Sequence, residues 1–181
     1  MLDDGAGTAV GYVIGTPDVH AMAGAYPRYV DEVLTRGHGQ GVVPVPAQLD
    51  TKEEWWADSG PDGGRAVNEA CLAQLAHHPR WLLLEGVPGK AELAGAYRAT
   101  MHIDMVAAYQ SRGWGRKLIE RFEASVREAV AGSGGALDAG KGIHIGVSGE
   151  NTKVVPFYER VGFRVYPGGE AEGNVWMVRD L

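Results

Sequence analysis

Residues 109–122 read YQSRGWGRKLIERF, and they crowd Arg112, Arg116 and Lys117 around Gly113, Trp114 and Gly115 just before an amphipathic run. The first turn of a helix carries unpaired backbone N–H groups and the positive end of the helix dipole. A glycine there has no Cβ, so an anionic group reaches those N–H groups directly, and three neighbouring cations suit a pyrophosphate. The lysine is not followed by Ser or Thr and the glycine spacing is wrong for a Walker loop; the GxGxxG dinucleotide pattern is absent too. A plain glycine-rich helix start is the competing explanation. His102 and Asp104 lie two apart in an alternating run, hence on one face of a strand. They read either as groups that move a proton or as a polar pair supporting the strand. His-x-Asp is also a fragment of a metal site, but no third ligand is placed by the sequence.

The elements that must position these residues are legible mainly in the second half of the chain. YRATMHIDMV alternates and is rich in strand formers; residues 115–130 form a helix with Leu118, Ile119, Phe122, Val126 and Val130 on one face. GSGGALDAGKG connects to a strand at GIHIGVSG, followed by a short helix over residues 151–161 and strands at FRVYP and NVWMVRDL. The order is β-α-β-α-β-β, an α/β arrangement without internal repeats. In the first half AVGYVIG reads as a strand ended by TPD, and residues 21–35 as a helix interrupted by Pro27. GHGQGVVPVPAQ and DSGPDGGR are loops. Thr51 with Glu54 makes a capping box for a short helix carrying Trp55 and Trp56, a hydrophobic anchor. Residues 67–77 are helical up to Pro79, and WLLLEG is a strand or a helix end.

With 181 residues, 45% hydrophobic and 22% charged, the chain can bury a core, and its length favours one domain or one domain with a large insertion. A net charge of −6 argues against general nucleic-acid binding. The single Cys71 excludes an internal disulfide framework, no leader-like segment opens the chain, and no apolar run approaches the ~18 residues of a membrane span. A soluble cytoplasmic protein is the expectation.

Gln110-Ser111-Arg112-Gly113-Trp114-Gly115 resembles Q/R-x-x-G-x-G/A, the acetyl-CoA pyrophosphate loop of GNAT-superfamily N-acetyltransferases. Downstream, GVSGENTKVVPFYERVGFRVY resembles the second block of that family, a strand, then Asn, then a helix ending in F-Y-x-x-x-G-F. The two motifs stand in the family's order and cover residues 97–181. Within the superfamily, HIDMVAAYQSRGWGRKLI and GYVIGTPD look most like the acetyltransferase-like C-terminal domain of O-GlcNAcase and its bacterial homologues, with Ala107 where Pro is usual.

The resemblance implies a GNAT-type α/β fold: a mixed, mostly antiparallel sheet flanked by helices, in a single domain over residues 1–181. It implies an atypical or truncated N-terminal part, because only residues 1–8 precede the strand at GYVIG, with residues 19–90 a helical and loop insertion. It implies acetyl transfer from acetyl-CoA to a primary amine by direct attack; the alternative is a non-catalytic acetyl-CoA-binding module. Gln110, Arg112, Gly113, Trp114, Gly115 and Arg116 would cradle the pyrophosphate. Met105 and Val106 would offer backbone groups to the pantetheine arm and the acetyl carbonyl. Asn151 would contact the arm, unless it is only a helix N-cap, and Phe157 would pack beside it or in the core. Tyr158 would protonate the departing thiolate, and Asp104 or His102 would take the amine proton. The acceptor is unnamed; no metal, nucleic acid or membrane is expected, and a homodimer is expected to cover the sheet edge that a missing opening strand leaves.

Overall fold

The computed structural model describes residues 1–37, 41–58 and 64–181. In chain order the elements are β1 (Leu2–Asp3), β2 (Ala9–Thr16), α1 (Val19–Tyr29) with a π-helical continuation Val30–Thr35, β3 (Trp56–Asp58) and β4 (Arg65–Val67). Then follow α2 (Glu69–His77), α3 (Arg80–Leu83), α4 (Lys90–Ala96), β5 (Ala99–Met105), α5 (Trp114–Gly132), β6 (Gly142–Ser148), α6 (Val155–Arg160), β7 (Arg164–Tyr166) and β8 (Asn174–Asp180). Contacts group the chain into two compact units, residues 1–21 with 87–181, and residues 22–86. No helix among the described residues is long and apolar enough to cross a membrane.

The first unit holds a six-stranded sheet ordered β1-β2-β5-β6-β8-β7. Only β5 and β6 run parallel; every other pair is antiparallel. Strand alternation explains why both faces bury side chains. Met101 of β5, Ile143, Ile145 and Val147 of β6 and Met177 of β8 meet Ile119, Phe122 and Val126 of α5. Each such side chain contributes about 1.5–3 kcal/mol on burial. Residues of opposite parity, Trp176 and Val178, pack with Leu93 and Tyr97 under α4. Helix α4 escapes a periodicity reading because its seven residues are too few to define a face. Arg179 of β8 ties α5 down through Glu123 and donates to the Val161 carbonyl at 2.8 Å.

Asp18, within the TPD turn, is the hub beneath this sheet. Its side chain is 1% exposed. It accepts from the backbone N–H of His20 and Ala21, which caps α1, and from that of Asp138. It also takes two hydrogen bonds from Arg98, at 2.6 and 3.2 Å, immediately before β5. Burial alone would raise the Asp18 carboxyl, but the Arg98 hydrogen bond, the Ala21 and Asp138 amides and the Arg98 charge outweigh it and hold it below the ordinary range. Asp18→Asn should therefore cost about 2 kcal/mol at neutral pH, the scale of hydrogen bonds to a charged group. A depressed carboxyl contributes stability above its unfolded pKa of about 4 and loses it as pH falls through the folded value. Thermal melts should show the gap between wild type and variant at pH 7 and its shrinkage on acidification below about pH 4. A gap that persists unchanged into strong acid would contradict the ion-pair account.

In the second unit Pro27 lies inside α1, where it removes one backbone donor, and the helix relaxes into the π-helical Val30–Thr35. Asn68 caps α2, accepting from Ala70 N–H. The capping-box helix expected after Thr51 does not form; Trp56 starts strand β3 instead, opposite Val67 of β4. Gln74 supplies the reason. Its buried amide accepts from Glu53 N–H at 2.7 Å and donates to the carbonyls of Thr51 and Gln48. Tertiary bonds thus take the backbone groups a first helical turn would need. Trp55 and Trp56 are both exposed rather than buried anchors. WLLLEG resolves as the single turn of α3. Residues 59–63 of DSGPDGGR and 38–40 of GHGQGVVPVPAQ lie outside the described residues.

Candidate functional site

The feature that organises the site is the parting of β5 from β6. Their parallel pairing covers only Ala99↔Ile143 and Thr100↔His144, although both strands continue for several residues. The closed end is fixed by Thr100 Oγ1 on the His144 carbonyl and by Arg98 on Asp18. The direction of the freed backbone follows from the flanking ladders. Val106 N–H donates to the Val10 carbonyl, so in the antiparallel β2–β5 pair the even-numbered residues of β5 bond to β2. Met101, Ile103 and Met105 therefore turn their amides toward β6. On β6, Leu181 N–H donates to the Lys141 carbonyl, so its odd-numbered residues bond to β8 and Gly146 and Ser148 face β5. The result is a wedge with backbone donors and acceptors on both walls. Ile103, Gly146 and Ser148 escape a motif reading, because ladder parity is a property of strand pairing and not of residue type.

Of the two residues assigned to the acetyl end, Met105 faces the wedge and Val106 does not, since its N–H is taken by β2. Met105 N–H is held by Asp104 Oδ1 at 2.7 Å, and its carbonyl by Gln110 Nε2 at 2.8 Å. Gln110 thereby hooks the glycine loop to the end of β5. In that loop Ser111 has φ +58 and Gly113 φ +81. Left-handed backbone at a serine costs free energy and marks a constrained segment. Gly113 is the N-cap of α5 and supplies no side-chain cap, so the N–H groups of Trp114, Gly115 and Arg116 keep no acceptor within the helix. A Cβ at Gly113 would meet nothing within 4 Å, so the space beside this cap residue is open. Gly115 has a different reason: a Cβ there would come within 2.9 Å of the Phe157 ring. Lys117 Nζ sits 4.4 Å from the Trp114 ring and Arg112 5.8 Å from that of Tyr109, keeping two cations beside the loop. Arg116 donates to the Arg160 carbonyl instead.

Phe157 and Tyr158 follow on α6. Tyr158 packs edge-on against Phe157 and Phe163, with ring centroids 5.2 and 5.5 Å apart. Burial raises its phenol above the ordinary value, with no hydrogen bond to its hydroxyl contributing among the described residues. Asn151 lies exposed in the 3₁₀ segment Gly149–Val154 at φ −120, and it is not a cap; Ser148 fills that role by accepting from Glu150 N–H. His102 and Asp104 share one exposed face of β5, the face away from α5, across from Ile14 and Tyr12. The His102 ring lies 6.0 Å from that of Tyr12. No cluster of three metal-ligating side chains occurs among the described residues. Contacts thus link Asp104, Met105, Gln110, the glycine loop, Phe157 and Tyr158, while His102 and Asn151 stand outside that chain of contacts.

No protein-family model matches the sequence. Among solved structures, the crystal structure of SsHAT superposes with a TM-score of 0.64 at 29% identity, over 99% of this chain and 70% of that one. The fold is thus a GNAT-like acetyltransferase fold, a mixed and mostly antiparallel sheet flanked by helices. The likeness supports acetyl transfer, and use of an acyl-CoA, in general terms.

Proposed function

We propose that this chain transfers the acetyl group of acetyl-CoA to a primary amine by direct attack, without a covalent enzyme intermediate. The observation that carries the reading is the wedge: two parallel strands that part after a two-residue ladder, with a helix N-terminus presented by a glycine loop at the end of one of them. Acetyl-CoA would supply an activated thioester and a long arm studded with amides. The freed backbone of Ile103 on one wall and of Gly146 and Ser148 on the other suits pairing with those amides. The N–H groups of Trp114, Gly115 and Arg116, with Arg112 and Lys117 nearby, suit a pyrophosphate. Phe157, pressed against Gly115, gives the wedge an apolar side.

In this reading Met105 N–H polarises the acetyl carbonyl. Taking that N–H displaces Asp104 Oδ1, which frees the carboxylate to receive a proton from the attacking amine, directly or through water. Tyr158, kept protonated by burial, donates to the sulfur as the C–S bond breaks. His102 is the alternative proton acceptor. The HIDMVAAYQSRGWGRKLI segment motivates a further proposal, a relationship to the O-GlcNAcase-like branch.

Acetyl-CoA should bind in calorimetry and raise the melting temperature with concentration, by about 2.7 kcal/mol of added stability at a hundredfold excess over Kd. No binding at millimolar acetyl-CoA would sink the proposal. Binding without turnover on any amine would favour the non-catalytic module.

A further inference from the structure

A small depression of about 180 Å³ opens beside the acetyl end of the wedge, where β2 and β5 run side by side. Val10, Tyr12, Asp104 and Val106 are among its lining residues. These four have one parity along the β2–β5 ladder, so their side chains rise from one face of the sheet, the face away from α5. Val10 and Val106 face each other across the ladder, and Tyr12 faces Asp104. Met1, Ala9, Gly11 and Met105 complete the lining, in which Asp104 supplies the one carboxylate. Without acetyl-CoA one carboxylate oxygen accepts from Met105 N–H, and the acetyl carbonyl that takes this N–H would release the Asp104 carboxylate for an amine.

We infer that this depression is the acceptor pocket, and that it takes a short primary alkylammonium whose charge sits on Asp104 and whose methylenes lie on Val10, Val106 and Tyr12. The inference rests on the acetyl-transfer reading and specifies its acceptor. Three physical points support it. A lone carboxylate beside apolar walls selects a cation with an apolar body over a zwitterion or an acid, because a second negative charge would meet Asp104 without compensation. The volume corresponds to roughly six heavy atoms at the ~30 Å³ that a water occupies, the size of a short alkyl chain. The pocket and the proposed electrophile share Asp104 and Met105, so an amine bound here is already adjacent to the N–H that polarises the acetyl carbonyl.

The test uses the full chain. Acetyl-CoA affinity is measured first by calorimetry, so that loss of the transfer reading is recognised separately. Acetylation is then measured on n-alkylamines from ethyl to hexyl, on a lysine within a neutral peptide, and on amino acids with a free carboxylate beside the amine. We expect kcat/KM to rise about fourfold per added methylene and then level off, the increment of one buried CH₂. Asp104→Asn and Tyr12→Ala should each raise KM about tenfold, the scale of one charged hydrogen bond or a lost apolar wall, with acetyl-CoA affinity unchanged. Butylamine titrated into the apo protein should shift the NMR signals of Val10, Tyr12 and Val106, and should not do so in Asp104→Asn. Turnover confined to the peptide arm but still dependent on Asp104 supports the same pocket with lysine as the source of the alkylammonium. A flat chain-length series, a preference for amino acids, or unchanged KM in Asp104→Asn, with acetyl-CoA still bound, overturns the inference while sparing the transfer reading.

Discussion

Gly113→Val should lower acetyl-CoA affinity by at least about 10²-fold, a loss of some 2.7 kcal/mol. Two effects act together. The residue sits at φ +81, which a β-branched side chain tolerates poorly, so the N–H groups that follow lose their alignment. The added side chain also enters the open space beside this cap residue, the space we assign to the pyrophosphate. Strain at an exposed helix cap could lower stability as well, by about 1–2 kcal/mol, so the apo melting temperature of the variant must be recorded beside its affinity. Arg112→Glu separates the two effects, because it leaves glycine in place and reverses only a charge beside the loop; it should weaken binding in a salt-dependent way. Normal affinity in a folded Gly113→Val protein would place the anion elsewhere.

Tyr158→Phe should reduce turnover about 10²-fold, the low end of general-acid effects, while acetyl-CoA affinity and the apo melting temperature stay close to wild type. No hydrogen bond to the hydroxyl contributes among the described residues, and the ring contacts with Phe157 and Phe163 survive the change. Because burial raises the phenol above its ordinary value of 10.0, the proton is in place throughout the neutral range. The gap between wild type and variant should therefore be constant from about pH 6 to 9 and close only above the ordinary tyrosine value. Steady-state rates on a competent amine, corrected for acetyl-CoA hydrolysis, check this. Equal rates in both proteins would remove Tyr158 from the chemistry and leave it a packing residue.

Much of the sheet unit is legible in the chain because its local signals agree with its tertiary setting. The glycine loop before α5 carries its own explanation: a left-handed cap needs glycine at residue 113, and an apolar stripe of Leu118, Ile119, Phe122 and Val126 needs a core. The segment of β5 alternates as a strand should, and the structure forms strands there and at the segments read as β6 and β8. The order of motifs also pointed to the GNAT-like fold that the SsHAT superposition supports. Agreement of propensity, pattern and packing is what makes a segment readable.

Other features were decided only when distant segments met. Gln74 turned the expected helix after Thr51 into extended chain by bonding backbone groups more than twenty residues away. Gly115 looked like part of an anion cradle, yet its lack of a Cβ is required by Phe157, from a helix far along the sequence. Asp18 looked like one residue of a turn and is the carboxylate that joins α1, Arg98 and the 138 loop. The wedge itself has no sequence signal, since the parting of β5 and β6 depends on how each pairs with its outer neighbour. Residue type and spacing determine what a short segment prefers and which face it buries. Only tertiary contact determines which backbone amides are left without a partner, because a hydrogen bond in a sheet belongs to two strands at once.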